Sequence, residues 1–165
     1  MPPTSPRRTL RRRHLAVTAT AALLLALVPA GAASAAPSTS CTSMTQAAVQ
    51  KKVLTDVNAA RKKAGKPALK ATASMNKVAV AWSAKQASAK RMSHNPKYSS
   101  QIPAGWRAAA ENVAYGYTPA KVTPAWMKSA GHKKNILGAY NRIGIGVACG
   151  SNGQPYYTQV FGSYR

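Results

Sequence analysis

The chain has 165 residues and carries 24 lysines and arginines against two acidic residues, a formal net charge of +22 at pH 7. It is long enough to bury a hydrophobic core, and neither an internal repeat nor a linker marks a second domain. Such an excess of positive charge favours anionic partners, of which a cell-wall polymer or a membrane surface is the expected one, but does not determine the fold.

The first 36 residues have the pattern of an export signal. Five arginines form a positive head, residues 15–28 form an apolar run, and small residues at 33–36 suit cleavage. The apolar run is shorter than the roughly 20 residues of a membrane-spanning helix, although a retained anchor is the alternative. We therefore expect a signal peptide at 1–36, a lead-in at 37–46 and one domain at 47–165, in a monomer that is secreted or associated with the cell wall. The mature chain would keep 19 of the 24 basic residues, because five lie in the leader.

Two cysteines, Cys41 and Cys149, remain after the leader. Export places them in an oxidising compartment, so we predict a disulfide bond that closes a loop of more than 100 residues. Two free thiols are the alternative. No cysteine or histidine lies near either one at the spacing of zinc ligands.

Two amphipathic helices are predicted next. Apolar residues recur at helical spacing over 45–63 and over 71–91. Gly65 and Pro67 end the first helix. Asp56 within it is expected to pair with a neighbouring lysine on the surface. The residues expected to face the core are Val49, Val53, Val57, Ala60, Met75, Val78, Ala79, Trp82 and Ala89.

A loop and a third helix follow. Asn95-Pro96 breaks the helical periodicity and leaves His94 in a loop just beyond a helix end. The third helix is predicted around 120–129, entered through Thr123-Pro124, with Trp126 turned inward. We expect Gly131 to end it, which leaves His132 at or just past its C-terminus.

The last quarter of the chain predicts a β-hairpin. Apolar residues alternate over 143–147, and a turn at 151–153 leads into a second strand at 156–161. Gly144 and Gly146 lie on one face of the first strand, so another element must lie close against it. Helices first and strands last predict an α+β domain in which helices cover an antiparallel sheet.

The candidate site combines His94, Glu111 and His132. Glu111 is one of only two acidic residues, and the three side chains have the composition of a zinc site with two histidines and one carboxylate. The positive charges of Lys133 and Lys134 would repel a metal cation there. The alternative is that Glu111 accepts hydrogen bonds and holds the two histidine loops together.

Enzymatic alternatives are a metal-dependent or a serine hydrolase in the same place. Ser129 or Ser93 would be the nucleophile, although no nucleophile-elbow sequence surrounds Ser129. Glycosidase chemistry needs two acids that flank one bond. Because Asp56 lies on a helix face, only Glu111 remains, and this mechanism is disfavoured.

Six short motifs, in this order, resemble the CAP or SCP domain, the superfamily of cysteine-rich secretory, antigen 5 and pathogenesis-related 1 proteins. The resemblance runs from about residue 47 to residue 165. The motifs are Leu54-x-x-x-Asn58-x-x-Arg61, Ser93-His94-Asn95, Glu111-Asn112-Val113-Ala114, Trp126-x-x-Ser129-x-Gly131-His132-x-x-Asn135-Ile136-Leu137, Ile143-Gly144-Ile145-Gly146-Val147 and Tyr157-Thr158-Gln159-Val160-Phe161-Gly162.

The resemblance implies an α-β-α sandwich with a central antiparallel sheet. It also implies a cleft in which many animal members carry two histidines and two glutamates that can hold a divalent metal. His94 and Glu111 match the first of each, whereas Ser129 and Tyr156 stand at the other two ligand positions. The sequence is similar to a shorter bacterial branch, in which His132 would take up part of the vacancy.

Three functions stay open. The first is a secreted binding protein whose cleft takes a small ligand, a lipid or a metal and whose basic surface is retained at an anionic cell envelope. No cofactor is required, and zinc is the candidate metal. The second is the cleft-based hydrolase. The third is a nonspecific nucleic-acid binder, which is disfavoured because the lysines are spread over several helices and export removes most nucleic acid from reach.

Overall fold

A computed structural model describes residues 41–165, apart from the side chain of Thr42. The expected signal peptide at 1–36 lies outside the described residues. No helix within 41–165 has the length and apolar character needed to cross a membrane. After a 3-10 turn at Cys41–Ser43, the elements are α1 (Gln46–Lys63), β1 (Lys70–Ala71), α2 (Ala73–Ala89), α3 (Tyr98–Gln101), β2 (Ala108–Tyr115), α4 (Pro119–Lys128), α5 (Ala130–Ile136), β3 (Arg142–Cys149) and β4 (Pro155–Ser163).

The sheet has the strand order β1-β3-β4-β2, and the predicted α+β class is confirmed. The predicted hairpin forms β3 and β4, and both β3 and β2 pair with β4 in antiparallel fashion. The two-residue β1 pairs with β3 in parallel. The prediction that strands come only at the end was wrong, because β2 lies between α3 and α4. Its sequence, AAAENVAY, has a single β-branched residue, so pairing with β4 along its whole length determines its conformation.

Helices cover both faces of this sheet, as the sandwich architecture requires. On one face, the valines of α1 pack with Trp126 of α4 and Ile136 of α5 against the inward side chains of the strands. On the other face, Met75 and Ala79 of α2 pack with Val160. Edge strand β2 lies between these two layers of helices at one side of the sheet.

The glycine face of β3 has another element close against it, as predicted, and that element is α2. A Cβ atom built on Gly144 would lie 2.2 Å from the carbonyl oxygen of Met75, and one built on Gly146 would lie 2.3 Å from the backbone nitrogen of Val80. No side chain fits between the helix and the strand at these positions. This close approach fixes the first half of α2 against the sheet.

We expect Gly146→Ala to lower the free energy of unfolding by about 2 to 3 kcal/mol, because the added methyl group must displace helix backbone. Gly131→Ala is the matched control, since a Cβ there meets nothing within 4 Å. Urea unfolding of both variants tests this. A Gly146→Ala protein as stable as Gly131→Ala would contradict the close approach.

Two predictions for the third helix were wrong. The helix begins at Pro119 rather than through Thr123-Pro124, and Pro124 lies inside it. It ends at Lys128, and the extended backbone of Ser129 (φ −95°, ψ 122°) redirects the chain into α5. His132 therefore lies within a second short helix and not at or past the end of the third.

Two smaller predictions concern single side chains. Asp56 pairs with Lys52, as expected, with 2.6 Å between Nζ and Oδ1. Trp82, expected in the core, is only half-buried. Its Nε1 donates a hydrogen bond to the carbonyl oxygen of Ser93 at 2.8 Å, so the ring lies at the surface beside the loop of His94.

Candidate functional site

The outer edge of β2 supports the candidate site. In an antiparallel edge strand, alternate residues turn their backbone carbonyls away from the sheet, where they need other donors. Three such carbonyls accept hydrogen bonds from side chains of α3, α4 and α5, which fastens these helices to the strand. The pairs are Tyr98 Oη to Ala109 O at 3.4 Å, Asn135 Nδ2 to Glu111 O at 3.1 Å and Trp126 Nε1 to Val113 O at 3.0 Å.

Glu111 lies in the middle of this strand, and its side chain is only 1% exposed. Its Oε1 accepts one hydrogen bond from Nδ1 of His94 and one from the backbone N–H of Asn95, both at 2.8 Å. The other oxygen, Oε2, is buried and has no hydrogen-bond partner among the described residues. Glu111 therefore anchors the His94 loop with one oxygen only.

His132 approaches the same place from the opposite layer of helices. Its backbone carbonyl accepts a hydrogen bond from Nδ2 of Asn112 at 3.2 Å, and Asn135 Nδ2 donates to Oδ1 of Asn112 at 2.9 Å. These two bonds fix α5 against β2. His94, Glu111 and His132 all line one cavity of about 610 Å³, whose other walls include Tyr98, Ser129, Lys134, Asn135 and Tyr140.

Burial dominates the protonation of this cleft. It raises the pKa of Glu111, although the hydrogen bonds from Asn95 and His94 act in the opposite direction. Burial lowers the pKa of His132, and the charge of His94 lowers it further. The cleft thus favours a neutral imidazole at His132 and disfavours the ionised form of Glu111, whose buried oxygen no group of the described chain solvates.

Comparison with known proteins identifies the family. The model of the cysteine-rich secretory protein family, CAP, matches residues 54–161, well over half of the chain. The chain belongs to the CAP family. The uncharacterized protein YkwD of Bacillus subtilis (strain 168) is 36% identical over 124 residues, a match that covers 69% of this chain and 47% of YkwD. The chain spans about half the length of this curated relative.

Solved structures from other bacteria share the fold of this chain. An outer surface protein from Borrelia burgdorferi has a TM-score of 0.68 at 18% identity, covering 74% of this chain and 97% of that one. An extracellular protein containing an SCP domain from Bacillus anthracis has a TM-score of 0.62 at 22% identity, covering 72% of this chain and 41% of that one. At these identities the likeness establishes the fold alone.

Ser129 and Tyr156, which stand where the resemblance implies two metal ligands, have different surroundings. Ser129 lines the cleft, at the junction of α4 and α5. Tyr156 is fully buried, with its ring 4.8 Å from that of Tyr115 and its hydroxyl accepting a hydrogen bond from Asn152. Tyr156 therefore has a packing role. Within residues 41–165, no group of three or more His, Cys, Asp or Glu side chains lies close enough together to hold a metal ion.

Sequence reasoning missed Tyr98, Asn135 and Tyr140 as cleft residues. Asn135 was within a family motif, but its partner is a backbone carbonyl of a strand that was not predicted. The two tyrosines gave no signal, because nothing in their local sequence places them beside Glu111. Among the side-chain hydrogen bonds of residues 41–165, none joins the hydroxyl of Ser93 or Ser129 to a histidine, so the serine-nucleophile interpretation gains no geometric support.

Proposed function

We propose that this CAP protein is exported and that its cleft binds a small ligand that donates a hydrogen bond to Glu111. The observation that carries this proposal is the buried Oε2 of Glu111, which has no partner among the described residues. An unpaired buried polar atom costs about 1 to 3 kcal/mol, and a ligand that satisfies it recovers part of that cost on binding. Because the cleft is open to solvent, a ligand can enter it and approach Glu111.

The walls of the cleft favour a small, partly polar ligand. Tyr98 and Tyr140 offer aromatic rings, Lys134 and Asn135 offer donors, and His94 has an exposed imidazole at 64% side-chain exposure. The donor on the ligand would be a hydroxyl or an ammonium group, either of which suits a carboxylate oxygen.

Zinc fits this donor set poorly. A zinc site needs at least three protein ligands, whereas the described residues bring no three such side chains within reach of one ion. One of the two oxygens of Glu111 is already used by His94 and Asn95. We therefore propose ligand binding through hydrogen bonds and not through a metal.

Ligand-detected NMR with the full chain tests the cleft. N-acetylglucosamine offers hydroxyl donors, ethanolamine offers an ammonium group, and zinc chloride serves as the third probe. We expect at least one of the two donor probes to bind and its signal to disappear in Glu111→Ala. If neither donor probe binds, or if binding persists in Glu111→Ala, the proposal is wrong. Zinc binding that depends on Glu111 would assign a metal site instead.

Glu111 should also contribute to stability. We expect Glu111→Ala to lower the free energy of unfolding by about 2 kcal/mol, because the buried N–H of Asn95 loses its acceptor. Glu111→Gln should lose less, since the amide oxygen still accepts. The measurement is chemical unfolding at pH 7. Equal and negligible effects of both changes would show that the carboxyl does not hold the His94 loop.

The pH dependence follows from the raised pKa of Glu111. Because the pKa of Glu111 is raised in the folded protein, folding favours the protonated carboxyl. Below the ordinary pKa of 4.5, this stabilises wild type relative to Glu111→Gln. The stabilisation is lost as the pH rises through the pKa of Glu111 in the folded protein. Glu111→Gln cannot titrate at this position. The difference in unfolding free energy between the two proteins, measured from pH 4 to pH 8, should fall with pH. An increase would mean that the interaction with His94 outweighs burial.

The basic surface should hold the exported protein at an anionic envelope. Exposed charges are screened beyond about 8 Å at physiological ionic strength, so binding to phosphatidylglycerol vesicles should be lost at 1 M salt. Vesicles of phosphatidylcholine alone are the control and should not bind. Binding to the anionic vesicles that persists unchanged at 1 M salt would contradict retention by charge.

A further inference from the structure

A second concave surface lies between α2 and α3, apart from the cleft. It is a groove of about 400 Å³, hereafter the Trp82 groove, and its lining includes Lys77, Val78, Ala81, Trp82, Lys85 and Gln101. The opposite side of α2 is fully used, because Met75, Ala79 and Ser83 are buried against the sheet. Helix positions that face away from the core are ordinarily polar. An indole at such a position, between two lysines, therefore needs an explanation.

The indole of Trp82 is held in place. Its Nε1 donates a hydrogen bond to the carbonyl oxygen of Ser93 at 2.8 Å, and Lys85 Nζ lies 5.7 Å from the ring centroid. The ring is half-buried, so part of its surface remains open to the groove. A fixed, partly exposed aromatic ring is a good platform for a flat apolar surface, such as a face of a sugar ring.

Within residues 41–165, neither Lys77 nor Lys85 has an acidic partner. The whole sequence contains only Asp56 and Glu111 as acidic residues. Asp56 pairs with Lys52, and Glu111 is buried beside His94. Both groove lysines are exposed, and eight residues along a helix separate them by about 12 Å. The groove therefore presents two positive charges without an acidic partner, with the indole between them in sequence and in contact with Lys85.

We propose that the Trp82 groove binds an anionic sugar chain, whose charged groups pair with Lys77 and Lys85 and one of whose rings stacks on Trp82. The aromatic ring supplies a contact that charge alone does not, so this site adds recognition of the sugar to the general attraction of the basic surface. It does not depend on the cleft, and Glu111→Ala is expected to bind such a chain as wild type does.

The test is titration of the full chain with alginate oligomers at physiological salt. Polyphosphate serves as an anion without sugar and dextran as a sugar chain without charge. We expect Trp82→Ala to weaken alginate binding about tenfold and to leave polyphosphate binding unchanged. Trp82→Phe, which also loses the hydrogen bond to Ser93, should bind alginate nearly as wild type does. Dextran should not bind.

The charge contribution has its own matched control. Lys77→Ala with Lys85→Ala should weaken alginate binding more than Lys51→Ala with Lys62→Ala, which removes two exposed lysines from α1. Equal losses in the two double variants, or unchanged alginate binding in Trp82→Ala, would overturn the proposal. Binding to duplex DNA that is tighter than to alginate and depends equally on Trp82 would assign the groove to nucleic acid and would also overturn it.

Discussion

Replacing Arg61 by alanine is expected to lower the free energy of unfolding by more than about 4 kcal/mol, a large share of the roughly 5 to 15 kcal/mol that stabilises an ordinary domain. Arg61 is 1% exposed and donates hydrogen bonds to four backbone carbonyls. Two of these carbonyls, of Ile136 and Gly138, lie at or just beyond the end of α5, where helix carbonyls lack partners within the helix. Without the guanidinium, buried carbonyls lose their donor, at about 1 to 3 kcal/mol each.

No carboxylate balances this buried cation. Burial lowers the pKa of Arg61, yet a guanidinium keeps its proton, so its charge is balanced by carbonyl dipoles alone. Arg61→Lys should still cost about 3 kcal/mol, because one ammonium cannot span carbonyls from Pro67 to Tyr140. Arg91→Ala, an exposed arginine, is the control and should change stability by less than about 0.5 kcal/mol. Circular dichroism with urea unfolding gives both numbers; an Arg61→Lys protein as stable as wild type would refute this role.

The contrast between β3 and β2 shows which strands the sequence could predict. Residues 143–147 alternate between β-branched residues and glycine, so the local pattern predicted both the strand and the close approach of another element, which the structure identifies as α2. Residues 108–115 have no such pattern, and their strand conformation depends on pairing with β4, about 50 positions later in the chain. Non-local pairing of this kind leaves no periodic trace in an alanine-rich segment.

The candidate site divides in the same way. The scarcity of acidic residues singled out Glu111, and the structure places its carboxyl against His94. The sequence did not predict the contacts around Glu111. These are the hydrogen bond from the N–H of Asn95, the side-chain hydrogen bonds to the outward carbonyls of β2 and the tyrosines that line the cleft. Each of these contacts involves a backbone group or a distant side chain whose position depends on the finished fold. The extended turn at Ser129, which places His132 in α5, belongs to the same class.

The second large effect concerns the bond between Cys41 and Cys149, which the structure confirms, with Cα atoms 5.6 Å apart and a sequence separation of 108. It ties the start of the described chain to the end of β3. In the chain-entropy model, closing a loop of this length stabilises the folded state by about 4.8 kcal/mol at 25 °C. The large loop makes this bond comparable in effect to the whole set of hydrogen bonds around Arg61.

We therefore expect the double variant Cys41→Ser with Cys149→Ser to lose about 4 to 5 kcal/mol of unfolding free energy, and dithiothreitol to destabilise wild type by a similar amount. Addition of reductant to the double variant is the control and should change nothing, which separates the bond from other effects of the reagent. Unfolding by guanidinium chloride, with intact mass to verify a two-hydrogen gain on reduction, measures both. A reduced wild-type protein as stable as the oxidised one would contradict this expectation. It would mean that the Cys41 end of the chain stays docked without the bond, through contacts such as that of Gln46 with the backbone of Val147. It would also mean that the unfolded ensemble is already restricted without the disulfide, so that the bond adds no entropic gain.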